Sequence, residues 1–113
     1  MTVVAKRIYE AKAGDDGYRV LVDRLWPRGL AKAAAGIDEW AKAVSPSTEL
    51  RKWYGHEPAK FDEFRKRYKA ELAEAGDDIE RLRGLAERGR VTLLTATAEL
   101  DLSHVAVLKE LLS

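Results

Sequence analysis

The sequence predicts an α/β fold: a small, mostly parallel sheet of about three strands, a helical insert between the second and third strands, and a C-terminal helix. Two apolar runs and the stretch between them carry that expectation. Val20-Leu21-Val22 is continuously apolar, as a strand covered on both faces requires. Val91-Thr92-Leu93-Leu94-Thr95 is a second short run, bounded by Gly89 and a polar loop. The insert separating them is long and repeats its apolar residues at helical spacing. A long crossover favours parallel pairing of the flanking strands, in the right-handed sense.

The first strand is expected over residues 2–9, where β-branched residues open the run and Ile8-Tyr9 close it. Gly14-Asp15-Asp16-Gly17 is a turn, and residues 18–23 form the second strand. Trp26-Pro27-Arg28-Gly29 breaks regular structure, and the alanine-rich stretch 30–36 follows as a loop or helical turn. Residues 37–44 read as a short helix carrying Trp40. Ser45-Pro46 supplies a cap and first-turn proline for the next helix, which carries Leu50, Arg51, Trp53 and Tyr54 and ends at Gly55. Glu57-Pro58 repeats the start signal. Phe61, Phe64, Tyr68 and Leu72 then share one face of a longer helix closed by Gly76. Asp77 caps the next helix, which directs Ile79, Leu82 and Leu85 inward and stops at Gly89. After the strand at 91–95, Ser103 caps a last helix striped by Val105, Leu108, Leu111 and Leu112. All the aromatic residues lie between Tyr9 and Tyr68, so the helical middle supplies the bulky packing. Phe64 and Tyr68 are expected to bury against Trp40 or Trp53.

A chain of 113 residues reads as one domain, 1–113, large enough for a single core. It has no cysteine, which excludes disulfides, thiolate metal sites and cysteine nucleophiles and suits a reducing cytoplasm. Residues 1–7 lack the apolar stretch of a signal peptide, and no run approaches the ~20 residues that span a bilayer. A cytoplasmic protein with no membrane association is expected. With 20 Lys+Arg against 19 Asp+Glu, the charge is nearly balanced, which argues against bulk binding to nucleic acid. The cations Lys60, Arg65, Lys66, Arg67 and Lys69 alternate with Asp62, Glu63 and Glu71, the pattern of a solvated helix face.

The second strand runs directly into Asp23, Arg24, Trp26 and Arg28. In open α/β sheets ligands bind beyond the carboxyl ends of strands. Arg24 and Arg28 can clamp a phosphate or carboxylate through their paired donors, or tie down Asp23 and nearby helix ends. Asp23 can act as a general base or orient an arginine. His104 follows the cap Ser103, where free amides and the helix dipole attract an anion; it can also simply bond a loop carbonyl. Trp26 is the tryptophan best placed to wall a pocket, and Arg51 shares a helix face with Tyr54. His56 lies in a turn between helices, as a ligand group or as a fastener of that turn. The ligand-binding candidates are thus Arg24, Trp26, Arg28, Arg51, Ser103 and His104, with His104 and Asp23 the candidates for proton transfer. Two distant histidines offer no metal spacing, and no glycine-rich phosphate loop or nucleophile elbow is present, so no metal and no cofactor is expected.

Five segments together resemble the YeaO-like family of small bacterial proteins, a domain of unknown function (number four-eight-eight). They are RVLVDRLWPRG at 19–29, SPSTELRKWYGH at 45–56, FDEFRKRYKAEL at 61–72, VTLLTA at 91–96 and HVAVLKEL at 104–111. The resemblance covers most of the chain in order. It implies an α/β fold and a cytosolic setting, and no agreed activity. Ser103 stands where an asparagine is common in the family, and Thr95 and Thr97 stand where a tyrosine and a lysine are common. Related branches carry cysteines near the last strand; this chain has none, so thiol chemistry does not carry over. The expectation is an anionic small-molecule ligand at the strand ends, with enzyme status open. A non-catalytic interaction module, including a homo-oligomer built on the aromatic middle, is the alternative, and nucleic-acid association a distant third.

Overall fold

The computed structural model describes residues 2–113. Four strands make one parallel sheet: β1 (Thr2–Arg7), β2 (Tyr18–Leu21), β3 (Glu39–Trp40) and β4 (Arg90–Thr95), in the order β1-β4-β2-β3. Val20 lies opposite Leu93 and Leu21 opposite Leu94, which is the expected parallel pairing. β1 pairs along the other side of β4 from Thr2↔Arg90 to Arg7↔Thr95. The helices are α1 (Lys32–Ala35), α2 (Thr48–Tyr54), α3 (Phe61–Leu72), α4 (Gly76–Arg88) and α5 (His104–Leu112). Among the described residues, no helix is long and apolar enough to cross a membrane.

The fourth strand corrects the expectation of a helix over 37–44. Asp38 donates its amide to the Arg19 carbonyl at 2.8 Å, and Ala41 donates to the Leu21 carbonyl at 2.8 Å. The open edge of β2 therefore draws this segment out as β3, and a 3-10 turn, Lys42–Val44, follows. Tertiary hydrogen bonding here outweighs the local helical preference.

Cap positions also shift. Ser47, not Ser45, caps α2, accepting from the Leu50 amide at 3.1 Å and donating its hydroxyl to Glu71 Oε2 at 2.6 Å. Ser45 instead donates to the Lys42 carbonyl and closes the preceding turn. Gly76 opens α4 with right-handed helical angles rather than closing α3, which tapers through the turn Ala73–Ala75. Asp77 consequently lies inside the first turn of α4, where a carboxylate favours the helix dipole without capping. Ser103 caps α5 as expected, accepting from the Val105 amide at 3.2 Å.

Strand alternation divides the packing. Val3, Val20, Val22, Val91 and Leu93 face the helical side, where Phe64, Tyr68, Leu82 and Leu108 complete the main core. On the other face Leu21 and Leu94 meet Ile8, Trp26, Leu30, Ile37 and Trp40. Farther along that face, buried Arg19 pairs with Asp16, which also binds Lys6 at 3.1 Å.

Phe64 and Tyr68 are buried in the main core, against which Trp53 packs, while Trp40 takes no part in it. Phe64 stacks on Tyr54 with centroids 4.4 Å apart and neighbours Phe61 and Tyr68. Trp40 lies across the sheet in the second cluster, edge-on to Trp26. Trp53 is half-buried at the margin of the main core, with the Arg67 and Lys60 cations 4.1 and 5.1 Å from its ring centre.

Candidate functional site

The pairing of β2 with β4 brings their carboxyl ends side by side, and the Val22 amide extends it by donating to the Leu94 carbonyl at 3.0 Å. The chain leaving β2 supplies Asp23, and the chain leaving β4 supplies Ala96 and Thr97. The start of α5 closes over both. A cleft of about 500 Å³ opens at this point.

Asp23 and His104 lie at the meeting point of these segments. Asp23 Oδ1 accepts from the Thr95 hydroxyl at 2.7 Å, and Oδ2 accepts from the Ala96 amide at 2.8 Å. His104 Nε2 lies 3.1 Å from Asp23 Oδ1 and 3.0 Å from the Val22 carbonyl. Both neighbours of Nε2 are acceptors, so that nitrogen carries a proton, and in the neutral ring the lone pair resides on Nδ1. Burial pushes the Asp23 carboxyl up, yet the His104 contact and the Ala96 and Thr95 donors outweigh it and hold the group below the ordinary aspartate value. Tyr68, whose hydroxyl donates to the Val44 carbonyl, braces the His104 ring edge-on at 6.2 Å.

The cleft gathers all six ligand-binding candidates, Arg24, Trp26, Arg28, Arg51, Ser103 and His104, together with Asp23, His56 and Thr97. They are not equivalent. Arg24 donates Nε to the Pro46 carbonyl at 3.2 Å and Nη2 to the Ser45 carbonyl at 3.4 Å, so it fastens the approach to α2. Arg28 and Arg51 are exposed, and among the described residues their guanidinium groups have no hydrogen-bond partner. Trp26 donates its indole N–H to the Leu30 carbonyl at 2.7 Å. Ser103 is occupied by capping: its hydroxyl accepts from Val105 and donates to the Leu100 carbonyl, and the Ala106 amide bonds the Ser103 carbonyl. Among the described residues, the His104 amide is left without a partner in the first turn. His56 is exposed, with a left-handed φ of 57°, and its turn is held by the Glu57 amide on the Tyr54 carbonyl. Thr95 acts behind the cleft, through Asp23.

Sequence reasoning missed Lys52, Tyr54, Phe64 and Pro46 as lining residues. Tyr54 and Phe64 read as core, and they are core on one side and cleft wall on the other. The arrangement sets four cations, Arg24, Arg28, Arg51 and Lys52, around a single carboxylate, Asp23. None of those cations is in an ion pair among the described residues.

Comparison with known proteins fits this geometry into a family. Residues 2–113 match the family model described as "Inactive DUF488-N3 subclade". The uncharacterized protein Rv3073c of Mycobacterium tuberculosis is 50% identical over 107 residues, covering 95% of this chain and 90% of that protein. The uncharacterized protein YeaO of Escherichia coli is 42% identical over 110 residues, covering 97% of this chain and 96% of that protein. No solved structure matches the chain. With the full described length matched and its relatives covered almost end to end, the chain belongs to the YeaO-like DUF488 family, in the subclade described as inactive.

Proposed function

We propose that the cleft binds an anionic small molecule, bearing phosphate or carboxylate, without turning it over. The observation that carries this reading is the charge of the lining. In a chain of net charge +1, four cations surround one carboxylate, and that carboxylate is already occupied by three donors. Guanidinium groups left unpaired beside a cleft are suited to an oxyanion. The His104 amide adds one further donor at the helix start. The subclade's description as inactive supports binding without chemistry. So does the engagement of Asp23, whose oxygens are held by Thr95, Ala96 and His104 rather than left for a substrate proton.

The alternative, a non-catalytic interaction module, is favoured by one observation: Leu25, at the lip of the cleft, is 66% exposed. One titration separates the two. Phosphate and sulfate are added to the labelled protein while the amides of Ser103, His104 and Val105 are followed by NMR. Binding near millimolar is expected for so small an anion. Arg28→Ala should weaken it, and Lys66→Ala, on the far face of α3, should not. Amides unmoved at saturating anion would end the small-molecule reading and leave the interaction module.

A further inference from the structure

We propose that the ligand of this cleft joins a planar heteroaromatic ring to its anionic group, the chemistry of a nucleoside monophosphate; this rests on the anion-binding reading and narrows it. A cleft of about 500 Å³ lies within the ~300–1,000 Å³ typical of sites for whole small molecules rather than bare oxyanions. Its walls are aromatic where its rim is cationic.

Trp26 has its indole N–H committed to the Leu30 carbonyl. What it can offer a ligand is therefore its ring. That ring is fixed before binding: it packs edge-on to Trp40 at 5.2 Å and 67°. Trp40 is itself anchored through its own N–H to the Asp23 carbonyl at 2.7 Å. Tyr54, in another part of the lining, likewise has its hydroxyl committed to the Leu102 carbonyl at 2.6 Å, but it is 4% exposed and stacked on Phe64, so it backs the wall and leaves Trp26 as the ring with surface to offer. Aromatic groups whose polar atoms are already paired select for flat, polarizable partners, and their rigidity removes the ordering cost of binding. The exposed Arg28 and Arg51 guanidiniums supply the phosphate contact and can also lie flat on a ring. A sugar phosphate satisfies the cations and leaves the Trp26 ring unused; a neutral nucleoside does the reverse.

Calorimetric titration of the wild-type protein with adenosine and cytidine 5′-monophosphates, ribose 5-phosphate and inorganic phosphate tests this. At least one nucleotide should bind about tenfold more tightly than ribose 5-phosphate, the gain expected from stacking one base. Trp26→Ala should abolish the advantage of that nucleotide over ribose 5-phosphate measured on the same variant, while Trp26→Phe keeps part of it. Equal affinity of both nucleotides and ribose 5-phosphate in the wild type would overturn the ring requirement while leaving the anion reading intact. Failure of every phosphate to bind would overturn both.

Discussion

His104 Nε2 lies 3.1 Å from Asp23 Oδ1, and this contact joins the first turn of α5 to the chain leaving β2. The same carboxylate holds the end of β4 through Thr95 and Ala96. Three segments distant in sequence are thereby fixed at one point, and the cleft inherits its shape from that point. The pair is an organiser of the strand ends: the Asp23 oxygens and His104 Nε2 are engaged by one another, by the Thr95 hydroxyl and by the backbone.

Replacing that carboxylate tests the organising role through pH. In Asp23→Asn the amide nitrogen must face at least one of the three donors, and the loss should be about 1–3 kcal/mol near pH 7. The Asp23 pKa is lower folded than unfolded, where an aspartate titrates near ~3.9. Its contribution is therefore fully present well above that value and lost as pH falls through the folded one. Urea unfolding from pH 7 to pH 3 should show the gap between wild type and Asp23→Asn narrowing in acid. A gap independent of pH would show that the carboxylate's charge contributes nothing.

A second buried charge gives a larger effect away from the cleft. Arg19 is 1% exposed and pairs with Asp16, while its Nε donates to the Gly36 carbonyl at 2.8 Å. The Ala13 amide, with Lys6 and Arg19, holds the Asp16 carboxyl down at about 2 against the opposing effect of burial. Asp16→Asn leaves the guanidinium buried without its counter-ion, and should cost about 3 kcal/mol or more. A change under about 1 kcal/mol in denaturant unfolding would mean that the Ala35 and Gly36 carbonyls alone satisfy Arg19.

Which features were legible follows from how local their causes are. Val20–Val22 and Val91–Leu94 announced a central strand pair because cover on both faces demands apolar residues at every position. Ser103 announced α5 because a cap needs only its own next few residues. β3 was not legible: Glu39 and Trp40 are a strand only because the edge of β2 is 19 residues away in sequence and adjacent in space. Gly76 misled because glycine permits a helix end without requiring one. Asp23, Arg24, Trp26 and Arg28 could be placed at the strand end from sequence. Lys52 and Tyr54 could not, because their presence in the cleft depends on how α2 docks against α3.

Phe64 ties the core to the cleft wall. It is 2% exposed and stacked at 4.4 Å on Tyr54. Phe64→Ala should cost about 3 kcal/mol or more, the usual range for deleting a packed phenyl ring. A loss below about 1 kcal/mol in chemical denaturation would mean that α2 settles onto α3 and fills the space.

Arg24 and Arg28 follow the same strand, and their surroundings assign them different work. Arg24 reaches the Ser45 and Pro46 carbonyls, so it holds the segment that leads into α2, which carries Arg51 and Lys52. Its two bonds are long, and Arg24→Ala should cost about 1 kcal/mol of stability, below the ~1.5–3 kcal/mol usual for hydrogen bonds to charged groups. Anion affinity should fall with it, because Arg51 and Lys52 lose their fixed position. Arg28 is exposed, and its contact with the rest of the fold runs through its backbone carbonyl, which accepts from the Tyr9 hydroxyl at 3.0 Å. A side-chain truncation leaves that bond in place, so Arg28→Ala should change stability by less than about 0.5 kcal/mol while weakening phosphate binding severalfold. Parallel urea unfolding and phosphate titration of the two variants measure both quantities. Equal loss of stability in the two would show that Arg28 is held by the fold, and undiminished phosphate affinity in Arg28→Ala would remove it from the site.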